Sequence, residues 1–426
     1  MSDAKVGYFD RVRFFKRDAR LYIASSAINS FAFGISNVIF NLYMKEAGFS
    51  EDFLGFFLSV SMFATGFIAV GAGMFSDRHC RKRIILSTKI IVLLSLAVQY
   101  TVLNPAYLLL SQVSVGLASA FTQVSWAPYI TDLSTDEERA HLFGFGGGLS
   151  LIAVLMGNLS GGFLPPIFMN LFNLPLFNAF QFALWVSLLP LVIATLLITP
   201  MTKDEVCETE KKISFENVRN WRFIGKYATT VSTIGLGAGM IVLFFNLFFE
   251  NEFQADSSLI GVIFAINTLL LAAGNFLAPA LADRIGKVRT VVVTEALSIP
   301  FLLMISWAPV LYLAVIAYVM RTVLMNMAGP VSNAFFMEGL SREERATASG
   351  VVNSGNSIVR GIAANIGGWM LALGLYRLPY LVVSGLYVLG VVLFFVFFKN
   401  KEEEIEQLRE VEIVRSHEDE AELDVT

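Results

Sequence analysis

Residues 75–83 read FSDRHCRKR, and residues 281–289 read LADRIGKVR, so a charged segment with an Asp-Arg pair occurs twice in this chain of 426 residues. The two pairs, Asp77-Arg78 and Asp283-Arg284, lie 206 positions apart, counted from residue 77 to residue 283. Each segment joins two long apolar runs. A charged turn between apolar runs that recurs half a chain later predicts a duplicated arrangement of membrane-spanning helices.

Further matches share this spacing. The sequence Glu-Glu-Arg-Ala stands at 137–140 and again at 343–346. Glycines also recur at an offset of 206: Gly55 with Gly261, Gly144 with Gly350, and Gly161-Gly162 with Gly367-Gly368. A Phe-Asn-Leu motif recurs at an offset of 205: Phe40-Asn41-Leu42 with Phe245-Asn246-Leu247. Several matches at one offset indicate an internal repeat, which one chance match would not.

The apolar runs are long enough to cross a bilayer, whose hydrocarbon core takes about 20 helical residues. Twelve such spans are predicted: 21–44, 53–75, 83–103, 106–130, 142–165, 174–199, 224–249, 257–281, 289–308, 310–336, 346–373 and 379–398. The composition agrees, since 55% of the residues are hydrophobic and 15% are charged, whereas soluble proteins carry about 25% charged residues.

The fold class predicted from these observations is an all-α membrane protein with twelve transmembrane helices in two six-helix bundles related by pseudo-symmetry. Six spans per unit place both copies in the same orientation, which makes them parallel repeats about an axis along the membrane normal. The expected segments are a basic lead-in (1–20), the N-terminal bundle (21–199), a linker (200–223), the C-terminal bundle (224–398) and an acidic tail (399–426).

Lysine and arginine are concentrated in the connections on one side of the predicted membrane, which by the positive-inside rule is the cytoplasmic side. The opposite connections carry only Lys45 and Arg377. Both termini are therefore expected in the cytoplasm, with the protein in the plasma or inner membrane. The lead-in does not have the pattern of a cleaved signal peptide. The two cysteines, Cys80 and Cys207, fall in predicted cytoplasmic segments and imply no disulfide.

The segment after span 2 resembles the G-x-x-x-D-R-x-G-R-R motif of the major facilitator superfamily. Gly73, Asp77, Arg78, Arg81 and Lys82 match it, and Cys80 stands where the motif has its second glycine. The resemblance covers residues 20–398 and leaves the subfamily unassigned. It implies that this cluster gates one face of a transporter together with other charged residues near span ends: Asp132, Arg139, Asp283, Arg284, Glu338 and Arg345. The alternative is that these charges set only the topology.

A weaker resemblance lies in span 5. Residues 157–162, GNLSGG, are similar to the G-P-x-x-G-G element of the family's antiporters, with Asn158 in place of the proline. This favours export or exchange over uptake. Close packing of helices could also account for these glycines, because small residues four apart let helices approach in lipid.

Two arginines lie deep in the second half. Arg321 is in span 10 and Arg360 is in span 11. Ionisable groups at such depth are candidates for function, and guanidinium groups pair well with carboxylate or phosphate. The predicted substrate or coupling residues are these arginines and nearby amides: Arg321, Arg360, Asn37, Asn41, Gln123, Asn158, Asn326, Asn353 and Asn356. The alternative is that the arginines anchor helices.

Central spans 1, 4, 7 and 10 carry no carboxylate at mid-depth. Lys89 and Glu295, another pair 206 residues apart, are interpreted as interfacial or structural residues of spans 3 and 9. Glu250 lies at the outer end of span 7, where a loop charge is one interpretation. Whether a coupling ion takes part is therefore open.

The predicted function is secondary active transport of a small organic solute, in particular an anion, by alternating access. The alternatives are a multidrug or amphipathic-lipid exporter on the same fold, or a transporter-like sensor without flux. An enzyme is disfavoured because no nucleophile–base or metal-ligand cluster is evident, and an ATP-driven pump because no phosphate-binding loop is present. The expected partners are the solute, a candidate coupling ion and the lipid bilayer. No nucleic acid, cofactor or metal is predicted, and the chain is expected to act as a monomer.

Overall fold

The computed structural model describes residues 15–76, 78–134, 136–202, 219–341 and 343–402, and for residues 132, 133 and 136–140 it describes the backbone alone. Twelve long helices account for most of this part of the chain. They are α1 (Arg17–Glu46), α2 (Glu51–Ser76), α3 (Arg81–Thr101), α4 (Pro105–Leu133), α5 (Asp136–Phe172), α6 (Leu176–Ile198), α7 (Trp221–Phe253), α8 (Ser257–Ile285), α9 (Lys287–Trp307), α10 (Leu311–Glu338), α11 (Arg345–Ala372) and α12 (Leu378–Phe398).

Eleven of the helices are long and apolar enough to cross a membrane. The exception is α11, whose 28 residues include Arg360 and two Asn-Ser pairs, Asn353-Ser354 and Asn356-Ser357. Several helices run past the predicted spans; α5, for example, begins at Asp136 rather than at residue 142. Helical hydrogen bonding does not stop at the edge of the hydrocarbon, so polar end turns continue into water.

Two helices are interrupted. In α7 a 3₁₀ turn at Val242–Phe244 separates two α-helical parts. In α10 the helix stops at Asn326 and resumes at Gly329, with Pro330 in the first turn of the second part. Proline lacks an N–H and is tolerated in the first turn of a helix, where that N–H would have no helical partner.

The two halves pack in the same way. In the first half α1 packs on α5 and α6, and α4 packs on α2 and α3; in the second, α7 packs on α11 and α12, and α10 packs on α8 and α9. The main contacts between the halves are α2 with α11 and α5 with α8. These two interfaces are equivalent under the repeat, which supports the predicted pseudo-symmetric pair of bundles.

Repeated glycines lie at both of these interfaces. A Cβ added to Gly55 of α2 would lie 2.8 Å from Cα of Gly368 in α11, and one added to Gly261 of α8 would lie 2.7 Å from Cα of Gly162 in α5. Real Cβ atoms do not come this close, so each crossing needs glycine on both helices. The glycines that allow the bundles to approach each other therefore occur at equivalent positions in both halves.

The start of α1 and the end of α12 lie on one face of the membrane because the helix count is even; we call it the terminal face, and the other the opposite face. Close glycine crossings lie toward the opposite face. Glycines nearer the terminal face, Gly71, Gly147 and Gly350, have no neighbour within 4 Å of an added Cβ. The closest glycine contacts between the bundles therefore lie toward the opposite face, and a further contact lies deeper, where a Cβ at Gly66 of α2 would be 3.0 Å from the Ser354 carbonyl of α11.

Candidate functional site

Two equivalent asparagines join the halves near the opposite face. Asn41 of α1 donates from Nδ2 to the Asn246 Oδ1 of α7 at 3.0 Å and to the Leu243 carbonyl at 2.7 Å. Asn246 donates in return to the Val38 carbonyl at 3.1 Å. The Leu243 carbonyl lies in the 3₁₀ turn of α7, and the N–H of Leu247, four residues further on, donates to Asn246 Oδ1 at 3.0 Å. Asn41, predicted as a substrate residue, is thus used in this conformation to hold the bundles together.

One turn further, the same two helices form an ion pair. Lys45 of α1 contacts the carboxylate of Glu250 and the side-chain oxygen of Asn251, both in α7. Lys45 and Glu250 are 205 residues apart, as are Asn41 and Asn246. Glu250 therefore lies inside α7 rather than in a loop, and pairs across the pseudo-symmetry axis. We call Asn41, Lys45, Asn246 and Glu250 the opposite-face seal.

Charged residues at the terminal face make contacts within their own half. Lys82 of α3 donates to the Thr199 carbonyl at 2.8 Å, which satisfies the carboxyl end of α6. Lys287 of α9 pairs with Glu338 of α10, and Arg345 donates from Nε to the Met337 carbonyl at 3.0 Å.

The structure describes only part of the remaining predicted gating residues. Asp77 and the side chains of Asp132 and Arg139 lie outside the described residues. Gly73 and Arg78 flank the end of α2, Arg81 opens α3, and Asp283 and Arg284 end α8. The terminal-face contacts of Lys82, Lys287 and Arg345 described above each lie within one half.

A buried carboxylate just before α11 accepts hydrogen bonds from the residues that precede α7. Glu344 is 2% exposed and accepts hydrogen bonds from the backbone N–H groups of Arg219 at 2.7 Å, Asn220 at 2.9 Å and Ser341 at 3.1 Å. Burial raises the pKa of this carboxyl, but the hydrogen bonds outweigh burial and leave the pKa below its usual value. Glu344 is thus ionised at neutral pH and holds the start of α7 beside α11.

Arg321 lies inside the second bundle. It is 1% exposed, donates from Nη2 to the Tyr387 hydroxyl of α12, and lies 5.3 Å from the centre of that ring and 5.8 Å from the Phe245 ring of α7. Its Nε has no partner in the described part of the chain. None of the predicted amide neighbours bonds to it. In this conformation Arg321 joins α7, α10 and α12 through aromatic side chains.

Arg360 lies where α11 passes α7. Two glycines of α7 make room for it: a Cβ at Gly235 would lie 3.4 Å from Arg360 Cγ, and one at Gly239 would lie 2.7 Å from the Arg360 carbonyl. Arg360 is partly exposed, and within the described residues its guanidinium donates no hydrogen bond and forms no ion pair. Asn356, one turn earlier, also faces Gly235, and its buried Oδ1 has no partner.

The remaining predicted amides fall into two groups. Asn37, Gln123, Asn326 and Asn353 are exposed. Asn37 shares a face of α1 with Asn41, which points at α7, so Asn37 points along the axis into the open side. Asn158 of α5 instead donates to the Thr268 hydroxyl of α8 at 3.1 Å and contributes to the contact between the halves.

Arg360 of α11 is partly exposed, and Asn37 of α1 is exposed one turn from Asn41. They bring a cationic group and an amide from different halves to helices that carry or adjoin the opposite-face seal. Among the described residues no group of three or more His, Cys, Asp or Glu side chains could hold a metal ion.

Several contacting residues were not among the predicted site residues. Tyr387 gives no sign in the sequence that it would meet Arg321. Asn246, Lys45 and Glu250 could have been predicted from the sequence. The pair Asn41 and Asn246 and the pair Lys45 and Glu250 are each separated by the 205-residue offset of the Phe-Asn-Leu motif.

Comparisons of the sequence and of the fold with known proteins both identify membrane transporters. The family model described as Major Facilitator Superfamily matches residues 22–228 and 227–417. A bacterial homolog of the human lysosomal transporter Spinster, solved in an inward-facing and occupied conformation, superposes with a TM-score of 0.73 at 15% identity, over 89% of this chain and 95% of that one.

Two other solved transporters are similar in fold. The nucleoside transporter NupG gives a TM-score of 0.72 at 14% identity, over 90% of this chain and 99% of that one. The human organic anion transporter MFSD10 gives 0.61 at 18%, over 89% of this chain and 99% of that one. No curated protein matches the sequence.

Proposed function

The chain belongs to the Major Facilitator Superfamily, and we propose that it is a secondary transporter that moves a small organic anion by alternating access. The family makes it a transporter rather than an enzyme. The anionic substrate and the mechanism are our proposal, and the observation that carries them is the unpaired guanidinium of Arg360.

A buried or half-buried guanidinium without a carboxylate partner is costly in a membrane, where ionisable groups are otherwise paired. Its five N–H donors suit a carboxylate or phosphate, which can accept two of them at once. Arg321, which interacts electrostatically with Arg360, adds a second positive charge nearby. A solute anion would supply the missing partner.

The amides around Arg360 would give the site its specificity. Asn356 lies one turn before Arg360 on α11, but its Oδ1 is buried against Gly235, so it would reach the solute only after α7 and α11 move apart. Asn37, Gln123, Asn326 and Asn353 are exposed and could contact the solute from either bundle. Because a transported solute must touch both bundles, contacts from α1 and α11 together support alternating access.

The transport cycle follows from the two faces. In the present state the opposite-face seal is closed. In the alternate state the bundles would rock about the axis, break the seal and bring the terminal-face charges together. Gly73, Asp77, Arg78, Arg81, Lys82, Asp132, Arg139, Asp283, Arg284, Glu338 and Arg345 are the proposed residues of that second closure.

The charge bias of the connections supports a cytoplasmic terminal face, so this state would be inward-open. The similarity of residues 157–162 to the antiporter element supports export or exchange. Gly157 and Gly161 also pack on α1: a Cβ at either would lie 2.9 Å from the Cα of Gly34 or Ile35, respectively.

A second candidate, export of an amphipathic anion or lipid, is favoured by Phe33. This side chain is exposed one turn before Asn37 on the axis-facing side of α1, and a solute with an apolar part could cover it.

A binding screen tests the proposal. The purified protein would be screened by thermal shift against carboxylates, phosphate esters, sugars and organic cations. We expect anions to raise the melting temperature of the native protein and of Arg222→Gln, an exposed arginine at the start of α7, but not of Arg360→Gln. Stabilisation by cations alone, or equal stabilisation of Arg360→Gln by anions, would contradict it.

A further inference from the structure

One carboxyl group lies inside the second bundle without a cation beside it. Glu295 is the ninth residue of α9, about 12 Å along the helix from Lys287 at 1.5 Å per residue. It is 9% exposed, and its Oε2 is buried without a hydrogen-bond partner. No described residue donates to either carboxyl oxygen. Other acidic residues of the twelve helices lie within two turns of a helix end.

The ionised form of such a group is unfavourable. Moving a carboxylate out of water without a partner costs several kcal/mol, roughly, even after relaxation. The neutral acid avoids most of that cost, so burial without a cation favours a bound proton. The arrangement of Glu295 in this conformation therefore suits the protonated carboxyl.

The surroundings of Glu295 contain few charges. Helix α9 packs on α8, α10 and α12, and Tyr227 of α7 interacts electrostatically with Glu295. The charged or titratable groups on the packed helices are Asp283 and Arg284 on α8, Tyr312, Tyr318, Arg321 and Glu338 on α10, and Tyr380 and Tyr387 on α12. Arg321 bonds to Tyr387 and Glu338 to Lys287. None of these groups forms an ion pair with Glu295.

Glu295 lies beside the interruption of α10. Ser298, one turn further along α9, contacts the Met325 sulfur at 3.4 Å. Because α9 and α10 run antiparallel, Glu295 is level with Ala328, where α10 stops and resumes. The resumed part, Gly329–Glu338, begins with N–H groups that lack helical acceptors. An ionised carboxylate would be attracted to those groups, whereas a neutral one is not.

We propose that Glu295 is a proton-binding site whose occupancy controls the bend of α10 and so couples transport to a proton gradient. Loss of the proton would draw the carboxylate to the N–H groups at Gly329 and move the segment Gly329–Glu338, which ends at the terminal face. The proton comes from water on one side of the membrane and leaves to water on the other, with no electron transfer. The proposal rests on the transport function but not on the anionic substrate.

Two measurements without a solute test it. Infrared spectra of the protein in lipid would show a protonated carboxylic acid band at neutral pH that is absent in Glu295→Gln and kept in Asp52→Asn, an exposed acidic residue at the start of α2. Glutamine has nearly the same size as the neutral acid, so we expect Glu295→Gln to fold as the parent does. A band that survives in Glu295→Gln would overturn the assignment of the proton.

The second measurement tests coupling. Spin labels at Ala127→Cys in α4 and Ala334→Cys in α10, both exposed near the terminal face, would report the distance between the bundles in a background without Cys80 and Cys207. We expect the distance distribution to change from acidic to alkaline pH in the parent and in Asp52→Asn, and to stay as at acidic pH in Glu295→Gln. An equal pH response in Glu295→Gln would overturn the proposal. Because no solute is present, neither result depends on whether Arg360 binds anions.

Discussion

Asn41 and Asn246 occupy equivalent positions in the two halves and bond to each other at 3.0 Å across the axis that relates them. Each also bonds to a backbone carbonyl of the other half. One turn away the equivalent pair Lys45 and Glu250 forms an ion pair. The repeat therefore brings matched positions together at the opposite face, where they can close one side of the transporter.

Charge reversal tests this seal. We expect Lys45→Glu to shift the protein toward an opposite-face-open state, because two carboxylates would then face each other. A partly exposed pair is worth about 1 kcal/mol or less, which corresponds to a change in the ratio of states of about fivefold. Spin labels at Asp52→Cys and Leu375→Cys, at the opposite face in different halves, would report the widening.

The double variant Lys45→Glu with Glu250→Lys restores the pair with exchanged partners. We expect it to return the distance distribution toward that of the parent. If the double variant were as open as Lys45→Glu alone, the ion pair would not be what closes this face.

The close approach of helices at the glycine crossings predicts a loss of stability when these glycines are substituted. Alanine at Gly55 or Gly261 would press on the backbone of the other half, with the new Cβ under 3 Å from a glycine Cα. We expect each to destabilise the protein by about 1–3 kcal/mol, seen as a lower melting temperature in detergent. Gly71→Ala, which meets nothing within 4 Å, is the matched control and should gain slightly, since alanine favours helix. Equal effects at all three positions would argue against close contact.

Arg321 and Arg360 are expected to differ in role. Removing the acceptor in Tyr387→Phe leaves a buried guanidinium with one fewer bond, so we expect a loss of about 1.5–3 kcal/mol in stability and no loss of anion binding per folded molecule. Arg360→Gln should show the reverse: little change in melting temperature without solute, and weak anion binding. Loss of binding in Tyr387→Phe at unchanged stability would place Arg321 in the solute site instead.

Glu344 predicts a pH dependence of stability. Its pKa is lower in the folded protein than in an unfolded chain, so its contribution is complete above the unfolded value of about 4.3 and is lost as pH falls through the lower folded value. We expect Glu344→Gln to lower stability by about 1–3 kcal/mol at neutral pH, and the difference from the parent to vanish in acid. Glu343→Gln, an exposed neighbour, should have little effect at any pH; a deficit of Glu344→Gln that persisted in acid would contradict this account.

Much of the fold could be predicted because lipid requires long apolar helices and a duplication leaves a constant offset. The offset even marked Gly55, Gly162, Gly261 and Gly368 before their contacts were known. The site was harder to predict. Depth identified both Arg321 and Arg360 as candidates, but only three-dimensional packing separates an arginine enclosed by Tyr387 and Phe245 from one left without a partner.

The interruptions of α7 and α10 were also missed. Gly329-Pro330 is a signal for the break in α10, because proline interrupts helical hydrogen bonding, whereas the 3₁₀ turn of α7 contains only Val242, Leu243 and Phe244 and has no such signal. They matter for function because they place the Leu243 carbonyl beside Asn41 and a set of free N–H groups beside Glu295. Helix breaks inside a membrane depend on what the neighbouring helices offer in exchange, which a single span does not reveal.

Counterflow in liposomes tests the central claim most directly. Vesicles containing the protein would be loaded with the unlabelled anion that gives the largest thermal shift, and uptake of the same anion in labelled form would be followed. We predict accumulation by the native protein and by Arg222→Gln, and at least a tenfold smaller initial rate for Arg360→Gln, as expected for loss of about 1.4 kcal/mol or more of binding. Counterflow by Arg360→Gln at the native rate would contradict the proposed anion site.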